Sequence, residues 1–245
     1  MENKTFVVIG AYGGVGQALC AELQAQSANL VLMGKDSEKL GPLAEQYGAT
    51  ACPGDASDME AVQNTVNAAV EKHGQVDGIA NLAGSVLLKP AHLTSDEEFQ
   101  QTLTTNLTTS FNVLRAGVKA MTKTGGSLVF VSTAAAEIGI PNHEAIAAAK
   151  AGVVGLARSA ASTYAQKGIR VNCVAPGLTA TPLTERITQN ESALKASLAM
   201  HALGKVGQPE DIASAIGWFL DPKNSWVTGQ VLAVDGGLSS LRTRN

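Results

Sequence analysis

The chain has 245 residues, 45% of them hydrophobic, and a formal net charge of −3, enough to bury the core of one large α/β domain. No basic run or stripe is present, which argues against a nucleic-acid partner, and no apolar run approaches the roughly 18 residues that a membrane span needs. Three widely separated cysteines, Cys20, Cys52 and Cys173, do not suit a disulfide framework and point to a reducing, cytoplasmic setting. The first strand begins almost at once, which leaves no room for a signal peptide.

In chain order, strand-like runs stand at 5–10, 29–34, 48–53, 76–84, 127–133, 169–176 and 230–237. They are near-continuously apolar, as strands buried on both faces are. Helical stretches fall near 14–26, 37–47, 57–73, 95–122, 143–166 and 208–220. This alternation predicts an α/β fold: a Rossmann-like doubly wound parallel sheet of about seven strands with helices on both faces, in one domain spanning 1–245. The rhythm breaks at 178–207, where Pro182, Gly204 and Gly207 flank a polar helical patch. Such an excursion is either a substrate-side lid or a surface decoration. Its mixture of Leu, Ile, Met and Ala with Glu, Gln, Asn and His suggests an amphipathic substrate. His92 and His201 lie in loops expected to frame a pocket and are candidate substrate contacts, whereas His73, before a glycine at a helix end, suits the helix dipole.

After the first strand comes GAYGGVG, with Gly10, Gly14 and Gly16 in a GxxxGxG spacing around Tyr12 and Val15, and then a helix. The first glycine allows a tight turn, and the later ones let the backbone and a helix N-terminus approach a pyrophosphate. The second strand ends Met33-Gly34-Lys35-Asp36. Lys35 can meet a 2′-phosphate, which favours NADP(H) over NAD(H). Asp36, about twenty residues past the loop, keeps the NAD(H) alternative open.

With GAYGGVG go NLAG (81–84), TTNLTTSF, Pro176-Gly177 and the tail GKVGQPEDIASAIGWFLDPKNSWVTGQVLAVDGG. In this order, over essentially the whole chain, they resemble the short-chain dehydrogenase/reductase family. The resemblance implies that Asp55 and Ala56 contact adenine and that Asn81, Ala83 and Gly84 steady the sheet beside the cofactor. It also implies that Pro176, Gly177, Thr179 and Thr181 meet the nicotinamide carboxamide. Two residues depart from the family pattern: Ile9 replaces a usual Thr, and Tyr12 replaces a small hydroxyl residue and would crowd or stack beside the ribose–phosphate edge. The family's subunit interface uses the helices at 95–122 and 143–166, where Gly152 and Gly155 permit close approach, so a homodimer or homotetramer is implied. No metal ion is expected.

The family's chemistry rests on Asn, Ser, Tyr and Lys. Asn106 matches the Asn and would hold a water chain; Lys150 matches the Lys; and Thr133, beside Ser132, stands at the Ser position. The Tyr position of YxxxK is Ile146, which has no proton to give. His143 lies at i relative to i+3 (Ile146) and i+7 (Lys150), on one helix face. A divergent branch of the family, the enoyl reductases, has its Tyr in the longer YxxxxxxK register, which His143 and Lys150 reproduce. An imidazole is a natural acid near neutral pH, and Glu144, round the helix, ranks behind it. His143 can equally be first-turn surface next to a capping Asn142, or contact substrate without proton transfer. Two functions follow. One is an NADP(H)-dependent oxidoreductase that reduces a carbonyl, 3-oxoacyl-like or another ketone, with a proton source other than Tyr. The other is a silent cofactor-binding protein acting as a redox sensor or partner subunit.

Overall fold

The computed structural model describes residues 1–242. Seven strands, β1 (Thr5–Ile9), β2 (Asn29–Gly34), β3 (Thr50–Pro53), β4 (Gly78–Asn81), β5 (Gly126–Val131), β6 (Ile169–Pro176) and β7 (Val231–Val234), form one sheet. Its order is β3-β2-β1-β4-β5-β6-β7, and every pairing is parallel. The expected doubly wound sheet is therefore present, and its strand order reverses between β1 and β4. Ligands in such sheets bind in the crevice outside the carboxyl ends of the strands at that reversal.

The near-continuous apolarity of the strands follows from the two-residue period of side-chain direction. Val7 and Ile9 enter a core with Ile79, Leu128, Phe130 and Val171 on one face. Phe6 and Val8 enter a second core with Leu32, Val129 and Val174 on the other. Against these faces lie α1 (Gly14–Ala25), α2 (Ser37–Gln46), α3 (Met59–His73), α4 (Asp96–Leu103), α5 (Thr109–Met121) and α6 (Glu144–Tyr164). They are followed by α7 (Glu185–Thr188), α8 (Glu191–Met200) and α9 (Pro209–Leu220). Among the described residues, no helix is long and apolar enough to cross a membrane.

Two elements depart from the sequence expectation. The helix expected over 95–122 begins with a Ser95/Glu98 capping box but is broken by a π-helical turn, Thr104–Thr108, between α4 and α5. There, hydroxyls bond back to carbonyls four residues earlier, Thr102 to Glu98, Thr109 to Thr105 and Ser110 to Asn106. Such back-bonding loosens a helical ladder, and the wider turn carries Asn106. At the start of α6, the expected Asn142 cap is not formed. Asn142 adopts a left-handed φ of +63°, and its carbonyl accepts from Lys89 N at 2.8 Å. His143 takes the N-cap position without a side-chain cap bond.

The segment 178–207 is tied at its base. Thr179 bridges Gly207, Ala180 N donates to Gly207 O at 2.9 Å, and Gly207 N donates to Leu178 O at 3.0 Å. The chain thus leaves the sheet, forms α7 and α8, and returns to the same point.

Candidate active site

A cavity of about 670 Å³ opens at the carboxyl ends of β1, β4, β5 and β6. Its floor is the turn between β1 and α1. Gly10 has a φ of +77°, and a Cβ there would lie 2.9 Å from Ala83 N, so only glycine lets the two strand ends meet. A Cβ at Gly16 would lie 2.5 Å from Gly10 O. Helix α1 starts from an N-cap, Gly13, that makes no side-chain cap bond, so its first backbone N–H groups point toward the crevice with no side chain in the way.

One cavity lining brings together Gly10, Gly14, Val15, Gly16, Gly84, Thr133, His143, Lys150, Pro176, Gly177, Thr179 and Thr181. These residues come from five separate stretches of sequence. Thr181 leans over the glycine loop, where a Cβ on Gly14 would lie 3.0 Å from its methyl. Ile146 is buried in the same lining.

Lys150 is buried, and its Nζ donates to Val131 O at 2.9 Å. It lies close to Gly84, where a Cβ would stand 3.4 Å from Nζ and 3.0 Å from Asn106 Oδ1. Burial pushes the Lys150 ammonium down from 10.5 to about 8, because the low-dielectric surroundings disfavour the charge. Ser132 is also buried and donates to Lys150 O at 3.1 Å, so its hydroxyl is committed to holding α6. Thr133 Oγ1 instead accepts from Ala135 N at 3.3 Å, which leaves its own proton to aim into the cavity. The ring Nδ1 of His143 lies 2.8 Å from Pro141 O.

Several expected site residues lie outside this cavity. Asn106 is fully buried, and its amide is used by protein partners: Nδ2 donates to Thr102 O and Ser85 Oγ, and Oδ1 accepts from Ser85 N. The expected water-holding side chain therefore acts as a brace under the loop after β4. Asn81 braces the same region, donating to Ser110 Oγ at 3.1 Å and accepting from Ala83 N.

On the adenine side, Lys35 and Asp55 form an ion pair at 2.8 Å, and Ala56 is buried beside them in the core. Asp36, the NAD-type acid, is committed to the N-cap of α2 through Glu38 N and Lys39 N. The Tyr12 ring lies against Gly34, where a Cβ would sit 2.8 Å from its Cδ1. Tyr12 and Gly34 therefore belong together, since a side chain at position 34 would collide with the Tyr12 ring. Lys39 Nζ lies 5.9 Å from that ring's centre.

The other three histidines occupy different settings. His92 is exposed in a short 3₁₀ turn, Ala91–Leu93, and does not line the cavity. His201 reaches the wall but is buried, with Nε2 accepting from Leu178 N and Nδ1 facing Ser197 O, so it fastens the segment 178–207. His73 does end α3 before Gly74, but burial and the adjacent Lys72 lower its pKa and disfavour the charged form a dipole partner needs. Sequence reasoning missed Ser85, which holds Asn106, and the apolar wall of Val86, Leu88 and Ile140. No motif marks them.

A doubly wound sheet with a glycine loop at its strand-order reversal and a buried lysine beside it defines a nicotinamide-dinucleotide type of site. The comparisons narrow this. A family model described as enoyl-(acyl carrier protein) reductase matches residues 10–239. The 3-oxoacyl-[acyl-carrier-protein] reductase FabG of Thermotoga maritima is 33% identical, over 97% of this chain and 98% of its own. A 3beta-hydroxysteroid dehydrogenase 1 of Eggerthella lenta is 34% identical over 98% of this chain and 95% of its own. A short-chain type dehydrogenase/reductase from Mycobacterium ulcerans superposes with a TM-score of 0.94 at 27% identity, covering 100% of this chain and 93% of that one. Levodione reductase superposes with a TM-score of 0.93 at 29% identity, covering 99% and 100%. The chain belongs to the short-chain dehydrogenase/reductase family of oxidoreductases.

Proposed function

We propose that the protein is an NADP(H)-dependent reductase of a carbonyl compound, a ketone of 3-oxoacyl or other type, in which the proton comes from a group other than tyrosine. The observation that carries this reading is the single cavity joining the glycine loop to Thr133, His143 and Lys150. The residues suit a dinucleotide: Gly10 and Gly16 let the loop pack tightly on its own backbone, where any Cβ would collide, and the bare N-terminus of α1 stands at the cavity with Gly14 and Val15 in its lining. When bound, the dinucleotide supplies the hydride.

The chain's own residues do the rest. Thr133 donates its hydroxyl hydrogen to the carbonyl oxygen, an orientation favoured by Ala135 N, which uses the oxygen's acceptor side. His143 gives the proton. Because Pro141 O can only accept, Nδ1 carries the hydrogen of that bond, and the proton given to the substrate comes from Nε2. Lys150 holds the ribose side by its ammonium, next to Gly84. The segment 178–207 closes over this single domain as a lid, fastened by His201 and the Thr179–Gly207 bridge.

NADP(H) is favoured over NAD(H) because the end of β2 offers Gly34 and Lys35 where an NAD site places an acid, and because Asp36 is committed to a helix cap. NADPH and NADH titrations that gave equal affinity would remove this part. The outer faces of α5 and α6, with Phe111 exposed and open space at Gly155, suit a homodimer or homotetramer; light scattering reads it directly. The buried Ile146 motivates one other reading, a cofactor sensor without turnover, which requires NADPH to change oligomeric state or partner affinity.

The reductase reading is tested by following NADPH oxidation over a panel of ketones and 3-oxoacyl thioesters with wild type and His143→Ala. Turnover by wild type, with kcat lowered on the order of 10²–10⁴-fold in His143→Ala, is expected. Tight NADPH binding without turnover of any carbonyl contradicts it.

A further inference from the structure

We infer that the substrate is an uncharged, apolar ketone whose hydrocarbon part lies against the lid and carries no ionised group. The inference rests on the carbonyl-reductase reading and concerns the apolar part of the cavity wall. Four large apolar side chains that the fold leaves in water, Val86 at 39%, Leu88 at 41%, Leu183 at 55% and Met200 at 41% exposure, all line the one cavity. Apolar surface gathered in this way marks a binding groove more often than chance exposure.

The amphipathic composition of the lid resolves into two faces. Ala193, Ala196 and Met200, at i, i+3 and i+7 of α8, line the cavity, whereas Glu185, Arg186, Glu191 and Lys195 are exposed and lie outside the lining. The polar half therefore meets water, and the expected amphipathic substrate is replaced by an apolar one. Ile146 belongs to the same wall, so the residue at the tyrosine position extends the apolar surface toward the reacting carbon.

Charge decides the class. Among the described residues, Lys150 is the only Lys, Arg, Asp or Glu in the lining; of the two histidines there, His201 spends both ring nitrogens on the backbone of the segment 178–207, and His143 is the proposed proton donor at the start of α6. Its ammonium is held by Val131 O beside Gly84, on the glycine-loop side. A carboxylate or phosphate on the lid side would give up water without meeting a lysine or arginine to pair with, which is unfavourable. A hydrocarbon chain there gains about three- to fourfold in binding for each methylene buried.

The test uses 2-alkanones from butanone to decanone, and oxo acids of equal length with the carboxylate at the far end. It is run at saturating NADPH on wild type and Leu183→Lys, with kcat/KM and, by calorimetry in the presence of NADPH, Kd measured for each. The expected result is a rise of about three- to fourfold per methylene, with oxo acids weaker by on the order of a hundredfold or more. Leu183→Lys, a change at an exposed rim position, should recover at least tenfold for the oxo acids and weaken the alkanones. A flat length series, or oxo acids that bind as well as alkanones, overturns the inference. Should nothing be turned over while Kd still falls with length, the reductase reading fails and the apolar site stands.

Discussion

The proposed cofactor side and the proposed reaction side of the cavity are built from different materials. The cofactor side is backbone: Gly10 with its φ of +77°, the bare start of α1, and the close approach of Gly84 to Lys150 and Asn106. The reaction side is made of side chains, with Thr133, His143, Ile146 and the lid's Leu183 and Met200 presented by separate loops and helix ends. Backbone geometry tolerates almost no substitution, whereas a wall of side chains can be recast while the fold persists. On the proposed reading, that difference is how a chain keeps the glycine loop intact while isoleucine stands where the family has its acid.

The sharpest way to break the comparison is at Gly16. A Cβ there would meet the Gly10 carbonyl oxygen at 2.5 Å, backbone against backbone. Gly16→Ala should weaken NADPH binding by about 100-fold or more and lower Tm by several degrees, as read by fluorescence titration and thermal melting. A silent Gly16→Ala would mean the loop is not the cofactor floor.

Thr133→Val should act on the reaction side alone. Loss of the hydrogen bond to the carbonyl oxygen should lower kcat by about 10²–10³-fold with NADPH affinity unchanged. Equal losses in cofactor affinity would erase the distinction between the two sides.

Lys150 touches both sides, and its burial has a sign that can be checked. Below about pH 8, folded and unfolded chains both carry the ammonium, and the folded state bears the full desolvation cost. Between about 8 and 10.5, the folded lysine sheds its proton while the unfolded one keeps it, so stability rises with pH. A lowering from 10.5 to about 8 corresponds to about 3 kcal/mol. In urea unfolding of the cofactor-free protein, Lys150→Met should therefore be more stable than wild type by up to about 3 kcal/mol at pH 7, a gap that narrows toward pH 10. Activity should be lost in the same variant. A gap independent of pH would contradict the buried-ammonium account.

The smallest effect belongs to Lys35. Its pair with Asp55 is largely solvent-exposed and is worth about 0–1 kcal/mol, so Lys35→Ala should leave Tm nearly unchanged. NADPH affinity should fall about tenfold relative to NADH, since the lysine must leave Asp55 to meet a 2′-phosphate. An equal loss for both cofactors would assign Lys35 a purely local role.

Much of this was legible in the sequence, for a physical reason. Continuous apolar strands and a glycine loop are local patterns, so the seven strands and the sequence of α/β elements could be read from spacing alone. What was not legible depends on contacts across the fold. The pairing of Tyr12 with Gly34 needs two loops brought together. The π-turn at Thr104–Thr108 arises from hydroxyl back-bonding within a helix of ordinary composition. Asn106 matched a motif, but its partner Ser85 is 21 residues away and unmarked. The two faces of the lid differ only in which way α8 is turned, and the identity of its residues does not specify that.

The account turns on where the proton comes from. The most direct measurement is NADPH-dependent reduction of a neutral apolar ketone by wild type, His143→Ala and Ile146→Tyr in parallel, with NADPH affinity measured for each. We expect wild type to turn over, His143→Ala to fall by on the order of 10²–10⁴-fold with cofactor affinity kept, and Ile146→Tyr to lose part of its activity by crowding the apolar wall. An inactive wild type beside an active Ile146→Tyr, with equal NADPH affinity, would contradict the account and identify the protein as a cofactor binder that has given up its acid.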